Sequence, residues 1–366
     1  MNIAYVSVDP GIPVFGTKGA SVHIQEVVRE MLARGHNVTV FTTKRGADVP
    51  ADLTDLDVVE IPVAKDDAAA REQAQIDAST RFIELISAGN FDLIYERYSL
   101  FSTVIAESAL PGILEVNAPL IDEQRTHREL VSEDYAYTAL KNQVKAAAAT
   151  ICVSVPVRQW VVDHTHTETA FTVANGVNVN RIHPQEIDPS KAPVVIFVGT
   201  LKPWHGVSVL LEAAAQATRP WQLRIIGDGP ERENLTKKAT ELGLDVEFCG
   251  AIAPEEMPSY LAGASIGVAP YPENQEYFSP LKVYEYMAAG LAVVASEIGQ
   301  IPKVLDGVGV LVPPSDSDAL AQAIDALAHS PELTAHYGQL ARERALEKHS
   351  WASVVDTMFQ HAGLAE

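Results

Sequence analysis

The residues best equipped for chemistry sit on short loops where an apolar run gives way to a helical pattern. Gly199-Thr200-Leu201-Lys202-Pro203-Trp204-His205-Gly206 follows one such run, and Lys202 with His205 at that rim can neutralise a leaving diphosphate. The plainer reading is a solvated Lys202 with Trp204 as a packing anchor. In the segment Ser279 through Gly290, Ser279 is the expected N-cap, Pro280 suits the first helical position, and Gly290 suits the stop. The helix between them, through Leu281, is apolar nearly all round and so is expected to be buried. Glu285 inside it therefore needs a partner, because an unpaired buried carboxylate is costly. Lys282, three residues earlier, would make an ordinary helix pair. The hydroxyls of a bound sugar, with a phosphate at the helix N-terminus, are the functional alternative, and chemistry alone leaves both open.

Two glycine loops are less specific. Phe15-Gly16-Thr17-Lys18-Gly19-Ala20-Ser21 lies between a strand and a helix, where free N–H groups and the helix dipole favour an anion. It is not a Walker loop, and a tight turn accounts for it as well. Gly227-Asp228-Gly229-Pro230 is half a dinucleotide fingerprint without the third glycine, so a plain strand-to-helix turn near a ligand is the better reading.

These loops need a scaffold, and the hydrophobic pattern supplies one. A strand from Ile3 to Val8 leads through a Gly/Pro loop into a helix with Ile24, Val27, Val28, Met31 and Leu32 on one stripe, while Glu26, Arg29 and Glu30 are expected to face water. Gly35 stops that helix and Asn37–Phe41 is the next strand, so a βαβ unit and a parallel sheet follow. Further strands are expected at Asp57–Pro62, Asp92–Tyr95, Gly112–Val116 and Thr150–Val153. The theme restarts at Pro193–Gly199 and repeats at Trp221–Gly227, Val246–Cys249 and Ile266–Ala269. The turn-rich stretch from Asn175 to Pro193 is the domain junction and hinge candidate. The expected boundaries are 1–178, 179–350 and a last helix, 351–366, that returns to the first domain.

At 366 residues and 47% hydrophobic, the chain can build two cores. Its 27 basic against 48 acidic residues give a formal charge of −21, which excludes general nucleic-acid binding and disfavours an anionic membrane surface. Cys152 and Cys249 lie too far apart in sequence for a metal cluster or disulfide framework to be read from them. No apolar run reaches the roughly 18 residues of a membrane span, and no cationic leader opens the chain, so a cytoplasmic protein is expected.

Taken together and in this order, several segments resemble the retaining glycosyltransferases of the GT-B fold, group 1 or family 4. They are Gly16 through His23, Leu114-Glu115-Val116-Asn117-Ala118-Pro119, Asn175-Gly176-Val177, Val198 through Gly206, Ser279 through Gly290, Gly299-Gln300-Ile301-Pro302, and Leu311 through Asp316. The resemblance spans nearly the whole chain. It implies an α/β fold of two doubly wound Rossmann-like domains facing a central cleft. A nucleotide-sugar donor would be held mainly by the C-terminal domain and a saccharide or small-molecule acceptor by the N-terminal one.

By this resemblance Glu285 matches the second carboxylate of the family's E-x7-E motif. The first position holds Tyr277, with Glu276 one residue off. Thr200 and His205 stand where the family's Arg and Lys are common, so Lys202 is expected to cover the diphosphate with His205, and Lys282 is a second candidate. Lys202, Glu285 and Asn117 are the expected catalytic residues. Asn117 stands where relatives place a histidine, and it can orient a sugar hydroxyl. Gly16, Gly19, Thr200, His205, Gly229 and Ser279 to Lys282 are expected on the donor side. Asp9, His23, Glu96, Arg97, Glu115 and Arg125 are candidates on the acceptor side. The implied reaction is glycosyl transfer with retention, needing no metal or other cofactor. A sugar-nucleotide 2-epimerase and a non-catalytic nucleotide-sugar-binding homologue are the alternatives, separated from it by acceptor-dependent turnover.

Overall fold

The structure is a computed structural model and describes residues 1–63, 67–185, 192–273 and 279–364. The chain forms two compact units, Met1–Asn175 with Val354–Glu366, and Gly176–Ser353. The first unit holds β1 (Asn2–Ser7), α1 (Gly19–Ala33), β2 (Asn37–Thr42), β3 (Asp57–Glu60), α2 (Ala68–Ala88), β4 (Leu93–Arg97) and α3 (Val104–Glu107). It continues with β5 (Gly112–Val116), α4 (Leu120–His127), α5 (Glu133–Ala146), β6 (Ala149–Cys152), α6 (Val155–Thr165) and β7 (Ala170–Thr172). Its strands are all parallel, in the order β3-β2-β1-β4-β5-β6-β7. Being covered on both faces, the central strands are near-continuous apolar runs, and Phe41, Phe82, Ile94, Leu114 and Leu140 share one core.

The second unit holds β8 (Val194–Val198), α7 (Val207–Ala215), β9 (Gln222–Ile226), α8 (Arg232–Glu241), β10 (Val246–Gly250), α9 (Met257–Leu261) and β11 (Ile266–Ala269). After them come α10 (Leu281–Ala288), β12 (Ala292–Ser296), α11 (Ile301–Leu305), β13 (Val310–Val312), α12 (Ser317–His329) and α13 (Pro331–Arg344). The sheet is again parallel, in the order β10-β9-β8-β11-β12-β13. Phe197, Leu210, Ile225, Val294 and Ile324 lie in its core. The last helix, α14 (Trp351–His361), crosses the boundary. From Val354 onward it completes the first unit. Phe359 stacks on His36 with centroids 5.9 Å apart, the Tyr95 hydroxyl donates to Met358 Sδ at 3.4 Å, and His361 stacks on Phe171 at 4.0 Å.

Two local expectations are corrected. Glu26 of α1 is buried, 3% exposed, because Arg29 bonds it at 3.0 Å, and Leu32 is the exposed residue at 37%. The helix is thus packed on more than its aliphatic stripe. In α10 the N-cap is Pro280 rather than Ser279, and no side chain caps the helix. Leu281 at the first position is exposed, so the helix is not buried on every side.

Candidate functional site

In a doubly wound sheet, ligands bind beyond the carboxyl ends of the strands where the order reverses. In the second unit that point lies between β8 and β11. Gly199 follows β8 with φ +150°, and a Cβ there would come within 3.0 Å of Lys282 Nζ. Lys282 is only 7% exposed, and its Nζ has no hydrogen-bond partner among the described residues. The ammonium lies 4.4 Å from the centroid of the Phe197 ring and 4.6 Å from that of Tyr271. Such faces stabilise a cation, though less than water does. Burial pulls Lys282 down to about 7, with the Glu285 charge opposing. Glu285 is half-buried, and desolvation pushes its carboxyl up to about 7 against the charges of Arg181 and Lys282. Arg181 had no signal in the sequence, since it lies in the junction far from the motif it serves.

The loop after β8 is held by backbone. Gly199 N–H donates to the Ile226 carbonyl and Leu201 N–H to that of Asp228, both at 2.9 Å. A Cβ on Gly229 would stand 2.5 Å from the Leu201 carbonyl oxygen, so this glycine is required by the loop packed on it. Lys202 is partly exposed and rests 4.6 Å from the Trp204 ring centroid. His205 Nδ1 donates to the Thr200 carbonyl, and burial, with the nearby Lys282 and Lys202 charges, takes the ring down to about 4. Those surroundings favour the neutral ring near pH 7. With Nδ1 carrying the proton, Nε2 is a lone-pair acceptor suited to a hydroxyl rather than a phosphate oxygen. Tyr277 and Glu276, and residues 186–191 of the expected junction, lie outside the described residues.

In the first unit the order reverses between β1 and β4, and a cavity of about 620 Å³ opens there. Asp9, Arg97 and Asn117 line it, following or ending β1, β4 and β5. Sequence reasoning missed Arg71 and Gln75 on α2 and His127 and Arg128 at the end of α4, which line it too, because their local patterns are those of a solvated helix face. Arg97 and Glu115 are register partners on neighbouring strands, with Nη1 and Oε2 3.9 Å apart. His23 contacts the other Glu115 oxygen. Burial alone would raise Glu115, but His23, Arg97 and the Asn117 amide bring it down to about 2. His23 and Glu115 thus stand behind the cavity wall. Glu96 points away, accepting the Ile105 N–H at 2.7 Å at the start of α3, and desolvation raises it to about 7. Arg125 is on the surface, paired with Asp122 at 2.9 Å and Glu133 at 3.4 Å. Gly16 and Gly19 do not line this cavity. The Gly16 carbonyl accepts from Gln25 at 3.0 Å, and Gly19 opens α1 with no side-chain cap and no acid in the first turn.

Residues 17–181 match the family model described as Glycosyltransferase Family 4, and residues 192–330 match the one described as Glycosyl transferases group 1. The chain belongs to the group 1, family 4 glycosyltransferases. This glycosyltransferase is 25% identical to an MMP α-(1→4)-mannosyltransferase of Mycolicibacterium hassiacum across 92% of each chain. It is 27% identical to a phosphatidyl-myo-inositol mannosyltransferase of Mycobacterium leprae across 93% of its own length and 92% of the relative's. Among solved structures, sucrose-phosphate synthase from Thermosynechococcus elongatus superposes with a TM-score of 0.72 at 23% identity, over 98% and 97% of the two chains. Anabaena HepE in complex with UDP gives 0.71 at 19%, over 99% and 100%. These likenesses carry the GT-B α/β fold to this glycosyltransferase. Among its described residues, no helix is long and apolar enough to cross a membrane.

Proposed function

We propose that this glycosyltransferase moves a sugar from a nucleotide-diphosphate donor to a hydroxyl of a saccharide or small-molecule acceptor, with retention of anomeric configuration. The donor belongs to the Gly176–Ser353 unit and the acceptor to the cavity of the first. The observation that carries the reading is Lys282, a buried ammonium without a hydrogen-bond acceptor among the described residues, lying 3.0 Å from where a Cβ on Gly199 would stand at the end of β8. A leaving diphosphate offers that cation its missing partner and gains charge stabilisation in return. Lys282 therefore replaces Lys202 as the chief leaving-group cation. Glu285, one turn further on, suits the ribose hydroxyls, and His205 Nε2 suits a sugar hydroxyl.

In this reaction the bond from the anomeric carbon to the diphosphate oxygen breaks, and the acceptor oxygen bonds to the same face. The acceptor proton passes to the departing phosphate oxygen, so no protein base is required. A relative named for an α-(1→4) product supports retention, because an α-linked donor giving an α product retains configuration. HepE, solved with UDP and with UDP-glucose, supports the donor class.

Incubation with UDP- and GDP-hexoses and an acceptor panel, read by diphosphate release and by NMR of the new anomeric proton, tests the proposal. Lys282→Ala should lower turnover on the order of 10²–10³-fold. An inverted product, or full activity in that variant, would overturn it. Turnover should also survive EDTA, as the leaving-group charge is met by a side chain.

A further inference from the structure

Glu72 of α2 lines the first-unit cavity but is only 3% exposed. None of the ion pairs among the described residues includes it. Its carboxylate bonds backbone 59 and 60 residues away instead: Oε1 accepts the Val131 N–H and Oε2 that of Ser132, each at 2.8 Å. A buried carboxylate is costly, and two charge-assisted hydrogen bonds to consecutive amides offset that cost. Both amides lie in the turn between α4 and α5, just ahead of α5, whose N-cap Ser132 makes no side-chain bond of its own. The anion therefore also sits where the α5 dipole favours one. The same turn is held by Gln124, whose Nε2 donates to the Glu129 carbonyl at 3.0 Å, and Leu130 packs on the core of the unit.

A core position needs only apolar volume; the Glu72 carboxylate adds a fixed joint between α2 and this turn. Both sides of the joint face the cavity. Arg71 and Gln75 line it beside Glu72, and Arg128 and Glu129 line it beside the residues that Glu72 holds. We infer that Glu72 is a positioning residue for the acceptor. It fixes the α2 side chains relative to those of the α4–α5 turn, and its own oxygens stay on the backbone. With the joint intact, the acceptor meets a wall that needs no ordering on binding. Without it, Leu130 and Gln124 keep the turn attached, but its cavity side chains are no longer held in one place. Acceptor affinity then falls while the donor side is untouched. This inference rests on reading the first unit as the acceptor side.

Glu72→Ala and the double variant Glu72→Ala/Ser132→Asp separate this role from helix capping, since Ser132→Asp strengthens the cap of α5 without reaching α2. Kinetics would use the UDP- or GDP-hexose that gives most wild-type product with methyl α-glucoside, methyl α-mannoside, maltose or myo-inositol as acceptor. Glu72→Ala should raise the acceptor KM about tenfold or more, with kcat and the donor KM within about threefold of wild type. Amide hydrogen exchange should quicken about tenfold or more at Val131 and Ser132 and stay unchanged in the second unit. The double variant should regain most of any lost melting temperature and keep the raised acceptor KM. If Glu72→Ala does not fold, Glu72→Gln, whose one carbonyl oxygen serves a single amide, should show the same split at about threefold. An acceptor KM that the substitution leaves unaltered, or that recovers together with the melting temperature, overturns the inference and leaves the transferase reading standing. Absence of wild-type transfer to all four acceptors counts instead against the transferase reading itself.

Discussion

Burying an ammonium group opposes folding, and Lys282 is buried beside Gly199 with no acceptor among the described residues. Its value falls from 10.5 in water to about 7 in the folded chain. Between those values the unfolded chain binds more protons, so stability rises with pH there and is flat below. Lys282→Met, whose thioether suits the Phe197 and Tyr271 rings, should stabilise the protein by about 1–4 kcal/mol at neutral pH and erase that pH dependence. Thermal melts across the alkaline range check this. Nucleoside diphosphate affinity should peak near neutrality, because it needs Lys282 protonated and Glu285 ionised, and both titrate at about 7. Glu285→Gln should remove the acid limb in titration calorimetry. His205→Gln should leave that affinity within about threefold, since a neutral ring gives up no charge pairing. Part of this proposed site was legible: Pro280 and Gly290 framed the helix that carries Glu285 and Lys282, although the sequence put Lys202 first and Lys282 second as the leaving-group cation. Arg97 could not be separated from Glu96, because adjacent strand residues point to opposite faces and sequence does not say which face holds the cavity.

At the scale of elements, the site depends on how α10 is held from behind. Arg342 of α13 donates to the carbonyls of Ala288 at 2.7 Å, Ile182 at 3.0 Å and Val179 at 3.1 Å. Beside it, a Cβ on Gly338 would stand 2.2 Å from the Gly290 carbonyl oxygen. Gly338→Ala should therefore push α13 off the end of α10, costing about 1–3 kcal/mol. It should also weaken nucleotide binding without touching the ligand, which melting and titration would reveal together. This close approach was not readable, because Gly338 sits inside an ordinary amphipathic pattern. Strands β7 and β13 were equally hidden, at three residues each. Runs that short carry no periodicity. Apart from β12 (Ala292–Ser296), which was passed over, the longer apolar strands and the loops after them were plain, since parallel strands covered on both faces must be apolar throughout.

Over the whole molecule, the first unit is assembled from both ends of the chain. Val354, Val355, Met358 and Phe359 are buried within it. At about 1.5–3 kcal/mol per large apolar side chain, their loss is comparable to the stability of a domain. Truncation after Ser353 should lower the melting temperature of the first unit while the second still binds nucleoside diphosphate, giving two separated transitions in calorimetry. The two-unit plan was visible from the restart of the strand pattern. The point where α14 changes allegiance was not, because its apolar stripe says that it packs without saying on what.

That discontinuity also sets an order of events on the ribosome. Domains ordinarily fold from the N-terminus as they emerge, yet this one lacks Val354 to His361 until some 186 residues after Asn175 (361 − 175) have been made. At about 5–20 residues per second, the first sheet waits roughly 10–35 s with the surface that α14 covers unprotected. The unit that starts second is thus the first able to finish, and the nascent first unit is the part most in need of a chaperone.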